Sequence, residues 1–150
     1  MRLVGSIQFD AHVQPICLPE QDQRFEGARC IISGWGKPAF VGNYSERMER
    51  VEVPVVNRDV CVQNLRDTHL GHFFRLDDSM LCAGGEEDAD ACRGDAGGPL
   101  VCLLTPYPLS HRGDAGGPLA CRSADGSYVL AGVAAWSVGC SRHGVPSVYT

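Results

Sequence analysis

The octapeptide Arg-Gly-Asp-Ala-Gly-Gly-Pro-Leu stands twice in this chain, once from Arg93 to Leu100 and again from Arg112 to Leu119. Two identical segments so close together cannot both take one place in a single domain, so the fold must seat one copy and divert the other. Each copy carries three glycines, which in the first are Gly94, Gly97 and Gly98. Glycine opens backbone angles closed to other residues and lets the chain turn sharply. Such a turn gathers backbone N–H groups, and gathered N–H groups can hold a developing oxyanion during acyl transfer. Acyl transfer also needs a nucleophile beside a base. The central residue is Ala96 in one copy and Ala115 in the other. A methyl group has neither a lone pair nor an ionisable proton, so neither copy can form an acyl-enzyme. The N–H groups of Gly94 and Ala96 need no side chain to line an oxyanion hole.

The length, 150 residues, suits one domain burying about 68–70% of its unfolded surface. The net charge of −5 and the lack of a basic cluster speak against a nucleic-acid partner. No apolar run reaches the roughly 18 residues of a membrane span. Residues 1–13, interrupted by Gln8, Asp10 and His12, make a poor secretory leader. The eight cysteines, at 17, 30, 61, 82, 92, 102, 121 and 140, lack the Cys-x-x-Cys spacing of a zinc site. No metal, nucleotide or haem motif is visible, and no cofactor is expected. A disulfide framework formed in an oxidising compartment suits these cysteines better. The sequon Asn43-Tyr44-Ser45 fits secretion and makes Asn43 a glycosylation candidate.

Strand signals dominate. Residues 28–35 form a short apolar run ending in Gly34 and Gly36. Residues 50–56 alternate through Val51, Val53 and Val55, with Pro54 pointing to an edge or a bulge. Residues 79–83, 100–104 and 128–136 are further strands. Asn57 caps one short helix carrying Val60, Cys61, Asn64 and Leu65. Residues 103–109, with Pro106 and Pro108, read as a loop. Short strands with Gly and Pro punctuation predict an antiparallel barrel or sandwich.

The octapeptide resembles the nucleophile loop of the chymotrypsin/trypsin serine peptidases, which reads Gly-Asp-Ser-Gly-Gly-Pro. Other landmarks follow in family order. Val13-Gln14-Pro15-Ile16-Cys17-Leu18-Pro19 resembles the linker between the family's two barrels, and Cys30-Ile31-Ile32-Ser33-Gly34-Trp35-Gly36 the first strand of its second barrel. Ser79-Met80-Leu81-Cys82-Ala83-Gly84 resembles the strand leading to the specificity pocket. Ala135-Trp136-Ser137 resembles the segment along which substrate lies, and Pro146-Ser147-Val148-Tyr149-Thr150 the strand behind the pocket. The resemblance implies an all-β fold, the chymotrypsin-like antiparallel Greek-key barrel. It assigns residues 1–29 to the inter-barrel linker and a remnant of the first barrel. It assigns residues 30–150 to the second barrel, with a duplicated loop insertion at about 103–121. The family's catalytic His and Asp are expected upstream of residue 1 and its C-terminal helix beyond residue 150, which makes this the second half of a peptidase. His12, His69, His72, His111 and His143 all lack the Ala-His-Cys context of the family base, and the adjacent pair Ser110-His111 is a poor catalytic couple.

The same resemblance implies site roles. Asp90 takes the place of the acid on the floor of a trypsin-type pocket, where it meets a substrate Arg or Lys. Trp136, Ser137 and Ser147 line that pocket, the two serines standing where trypsin-like enzymes carry glycine and so narrowing the slot. Asp95 is the carboxylate that pairs with a new N-terminal ammonium after zymogen cleavage. No Ile-Val-Gly-Gly-type terminus is present, and leaving a buried charge unpaired costs about 3–5 kcal/mol. Asp95 is therefore expected to turn outward or pair with Arg93, leaving the oxyanion hole unformed. The family's disulfide pattern pairs Cys61 with Cys82 and Cys92 with Cys140, and Cys30 with either Cys102 or Cys121. Cys17 is expected to reach a protein partner, a light chain or the missing first barrel. The first loop copy has the family's upstream context, Asp90-Ala91-Cys92. The second has its downstream context, Cys121 followed by the strand at 128–136. The first copy is expected in the native position, with the rest bulging outward.

Three functional readings follow. One is a trypsin-like endopeptidase homologue without activity, secreted, acting as a binding or decoy module. A second is a fragment or mispredicted copy of an active endopeptidase cleaving after Arg or Lys. The third is a truncated product without function, whose exposed barrel interface favours aggregation.

Overall fold

The computed structural model describes residues 4–35, 46–86, 116–138 and 143–150. Among these residues six strands close into an antiparallel barrel around one helix-bearing side. In chain order the elements are β1 (Arg29–Gly34), β2 (Glu49–Val56), α1 (Arg58–Arg66), β3 (Leu81–Ala83), β4 (Pro118–Arg122), β5 (Tyr128–Trp136) and β6 (Ser147–Tyr149). The order around the barrel is β1-β2-β3-β6-β5-β4, each neighbouring pair antiparallel. This is the expected all-β barrel.

The period-two pattern fills the interior. Cys30 and Ile32 from β1, Val53 and Val55 from β2, Ala83 from β3, Leu119 and Cys121 from β4 and Tyr149 from β6 make one buried cluster. Alternate residues on each strand point outward, as strand geometry requires. Cys30 lies directly across from Cys121, and the two form a disulfide with Cα atoms 4.2 Å apart. A second cluster, Cys61, Leu65, Leu76, Cys82, Val138 and Val148, lies between α1 and the β3–β6 wall. The Cys61–Cys82 disulfide ties the helix to β3 across it.

The helix starts where its sequence directs. The Asn57 side chain accepts from the N–H of Asp59 at 3.0 Å and of Val60 at 3.4 Å. Asp59 in the first turn and Arg66 in the last complement the helix dipole. Arg58 donates to the carbonyls of Leu76 at 2.6 Å and Met80 at 3.1 Å, which fixes the loop from α1 to β3. Pro54 is not on an edge, because closing the barrel leaves no edge strand. It stands opposite Arg29, and the next ladder bond runs from the Val55 N–H to the Ala28 carbonyl at 2.8 Å.

Residues 4–19 contain no strand and expose Val4, Ile7, Phe9, Val13, Ile16 and Leu18. Their tie to the barrel is a bridge between Cys17 and Val129, with the Leu130 N–H donating to the Cys17 carbonyl at 2.8 Å. The strand expected at 100–104 lies outside the described residues. The barrel position that follows the nucleophile loop is filled instead by β4, which belongs to the second copy of the octapeptide.

Candidate specificity pocket and nucleophile loop

Three backbone strips converge at one end of the barrel. The end of β5 supplies Trp136 and, just beyond it, the half-buried Ser137; the start of β6 supplies the buried Ser147. Trp136 pairs with Val148, so these residues sit on adjoining strand ends. A register shift between Ala134 and Trp136 bends the end of β5, as an extra residue in one strand does. The third strip is Gly84 to Glu86. Gly85 has φ +82°, and a Cβ placed on it would lie 3.1 Å from the Pro146 nitrogen. Only glycine lets this strip run so close to Pro146, and the Gly144 N–H then donates to the Gly85 carbonyl at 2.9 Å.

Phe74 supports this wall. Its ring meets Trp136 edge-on, with centroids 5.8 Å apart and an 84° interplanar angle. Such a contact contributes about 0.5–1.5 kcal/mol beyond burial and holds the indole in place. Sequence reasoning missed Phe74, since nothing near it in the chain marks a site. It also missed Gly85, which adjoins the family-like segment and whose doubled glycine with Gly84 was the available signal.

The second loop copy runs into this end of the barrel. The Gly116 N–H donates to the Ala134 carbonyl at 2.8 Å, and the Ala134 N–H donates to the Gly117 carbonyl at 2.8 Å. Gly116 has φ +93°, a conformation that glycine alone adopts easily. Gly117 leads straight into β4, whose Pro118 pairs with Val133. The expectation that the first copy takes the native position is therefore corrected at the strand: the segment flanked by β1 and β5 comes from the second copy. The insertion expected at about 103–121 overlaps the barrel, because Pro118, Leu119, Ala120 and Cys121 are strand residues. The reason is physical. Cys121 faces Cys30, and a short connection, 123–127, turns β4 directly into β5. That turn is held by Asp125, whose carboxylate accepts from Ser127 N–H at 2.9 Å and Oγ at 2.7 Å. The Ser127 bonds keep the Asp125 carboxyl below the ordinary value of 3.8. Ser79 does the same for Asp77 before β3.

Of the disulfides implied by the resemblance, the structure contains Cys61–Cys82 and, for Cys30, the bond to Cys121. Cys17 carries a free, exposed thiol. Asp90, Gly94, Asp95, Ala96, Ala115, Cys92, Cys102, Cys140, His111 and Asn43 lie outside the described residues. Among the described residues no cluster of His, Cys, Asp and Glu could hold a metal ion, and no helix is long and apolar enough to cross a membrane.

A family model described as Trypsin matches residues 1–107 and, separately, residues 108–150. The chain belongs to the trypsin family. The two matches meet between the two loop copies, so each carries one octapeptide. The chain is 39% identical over 148 residues to "Inactive CLIP domain-containing serine protease A8" of Anopheles gambiae, covering 99% of this chain and 36% of that protein. It is 43% identical over 141 residues to "Phenoloxidase-activating factor 2" of Galleria mellonella, covering 92% of this chain and 41% of that protein. It is 33% identical over 151 residues to "Serine proteinase stubble" of Drosophila melanogaster, covering 100% of this chain and 16% of that protein. The chain thus spans well under half the length of these trypsin-family relatives.

Proposed function

We infer that this chain is a secreted trypsin-family module that binds a protein partner and does not cleave it. The observation that carries this reading is alanine, Ala96 and Ala115, at the serine position of both loop copies. Loss of the nucleophile alone removes about 10⁶ of turnover in a triad enzyme, with about 10³–10⁴ over water surviving in the hole and binding groups. A relative named inactive, 39% identical over nearly the whole chain, supports the reading. The name of the Galleria relative suggests one setting for such binding, a step in phenoloxidase activation. The family pattern would make the end bearing Trp136, Ser137 and Ser147 a slot, narrowed by the two serines, for a partner's basic side chain, and would give Asp90 the part of the acid that meets it. The disulfides and the family support a location outside the cell. The test is hydrolysis of an arginine ester by the purified protein. A rate at the buffer blank is expected, and turnover that titrates with protein concentration overturns the reading.

One observation favours a second reading. The two family matches abut at 107 and 108 and each holds a loop, as expected if two similar coding segments were joined in a copy of an active endopeptidase. Sequencing the transcript across codons 93–119 separates the two. A single Gly-Asp-Ser-Gly-Gly-Pro segment there, with Ala-His-Cys and Asp-Ile-Ala-Leu motifs upstream, establishes the second reading; two alanine-bearing copies exclude it.

A further inference from the structure

Two aspartates in this barrel hold the same clamp and differ in the residue that follows them. Asp77 accepts from the Ser79 N–H at 3.0 Å and from its Oγ at 2.7 Å. Asp125 accepts from the Ser127 N–H at 2.9 Å and from its Oγ at 2.7 Å. All four residues are exposed. Asp77 is followed by Asp78, whereas Asp125 is followed by Gly126, the one glycine of the chain that comes directly after an aspartate. We propose that Asp125 is a site of spontaneous covalent modification, at which its link to Gly126 passes through a cyclic imide to isoaspartate, and that the Ser127 hydroxyl restrains the change.

The step balances with water alone. The Gly126 nitrogen attacks the Asp125 Cγ and a new N–Cγ bond forms. The amide proton of Gly126 and the carboxyl hydroxyl leave together as water. Water then opens the five-membered imide at the former backbone carbonyl. The chain now runs through Cβ and Cγ of residue 125, and the old backbone carbonyl is a free carboxyl. The water lost in the first step returns in the second, and nothing is oxidised or reduced. Because attacker and target belong to neighbouring residues, orientation governs the rate.

Gly126 has no side chain to crowd its nitrogen, while Asp78 carries a carboxylate beside the equivalent atom. The turn opposes ring closure at two points. The Gly126 N–H donates to the Ser123 carbonyl at 3.0 Å, and an imide nitrogen has no proton to donate. The Ser127 bonds hold the carboxyl and favour its ionised form, which has no hydroxyl to lose. The same residues form the return from β4 to β5, closed by the Ser123 N–H donating to the Ser127 carbonyl at 2.8 Å. An extra backbone atom at residue 125 lengthens that return and opposes its closure. The hairpin then loosens while the Cys30–Cys121 disulfide keeps β4 attached to β1. Nothing in this chemistry depends on the pocket end.

The experiment ages the whole chain in mildly acidic buffer, either folded or unfolded in urea with its disulfides reduced. The protein is then alkylated and digested with trypsin. Peptide 123–142 carries Asp125 and peptide 76–93 carries Asp77. Isoaspartate has the mass of aspartate and is located by electron-transfer fragmentation, which cleaves its added backbone bond. It is expected at residue 125 and not at residue 77, forming more slowly in the folded chain than in the unfolded one. Ser127→Ala is expected to quicken it about two- to tenfold in the folded chain, the worth of one ordinary hydrogen bond expressed as a rate. Ser127→Thr keeps the hydroxyl and is expected to keep the wild-type rate. Equal conversion at residues 77 and 125, or none at 125 in the folded chain once the unfolded chain has converted, overturns the site. An unchanged rate in Ser127→Ala, or a Ser127→Thr rate as fast as that of Ser127→Ala, overturns the restraint. The modified chain is expected to melt below the unmodified one, and an equal melting temperature contradicts the loosened hairpin.

Discussion

Truncating the one buried leucine of β4 separates the two copies of the motif by stability. Leu119 is completely buried and packs in the interior cluster beside the Cys30–Cys121 disulfide. Leu119→Ala removes three carbons from that site and leaves a cavity among strands tied on both sides, so the site can relax little. Measured costs for such changes run at about 2–5 kcal/mol, and about 3 kcal/mol is expected here. For a domain of this size that corresponds to a fall of about 10 °C in melting temperature. The equivalent change in the first copy, Leu100→Ala, leaves Leu119 in its place in that cluster and is expected to cost less. The assay is thermal and urea unfolding of both variants in mild acid after blocking free thiols, which freezes the disulfides. Equal losses for the two variants, or a larger loss for Leu100→Ala, refute the assignment of β4 to the second copy.

Two further outcomes are expected. Gly85→Ala forces a side chain into a left-handed conformation and to 3.1 Å from the Pro146 backbone; the conformational term alone is about 1–2 kcal/mol, and an unchanged melting temperature contradicts the close approach. Asp77 and Asp125 have carboxyls held below their ordinary value, first by the Ser79 and Ser127 hydroxyls. Their contribution is present above that value and is lost as pH falls through the depressed one. Amide exchange at Ser79 and Ser127 is expected to quicken, relative to the intrinsic rate, only below the ordinary carboxyl value of 3.8, and quickening near neutrality contradicts the sign.

Most of the barrel was legible in the sequence because its strands carry a simple pattern. Val53 and Val55 alternate with polar or outward residues, Cys30 and Ile32 do the same, and Asn57 announces the helix with a side chain able to accept two backbone N–H groups. Pro54 misled, since a proline usually marks an edge. In a closed barrel it is tolerated where the ladder bond is supplied by Val55 instead. The choice between the two loop copies was not legible. Residues 93–100 and 112–119 are identical, so local pattern cannot rank them, and upstream context favoured the first. The deciding feature is the short return from Cys121 to Tyr128, which joins β4 and β5 as a hairpin. For the candidate site, Trp136, Ser137 and Ser147 were proposed from their family context, and they stand on or beside adjoining strand ends. Phe74 was not, because its contact with Trp136 joins residues far apart in the chain and exists only once the barrel closes.

Loss of the nucleophile comes down to one side-chain position in each loop copy, and covalent labelling addresses it directly. The protein is incubated with a serine-reactive fluorophosphonate and digested with trypsin, and peptides 94–112 and 113–122, which carry Ala96 and Ala115, are weighed. Both are expected at their unmodified masses, with no adduct elsewhere in the chain. A phosphonylated residue in either peptide would contradict the claim that this trypsin-family chain has lost its nucleophile.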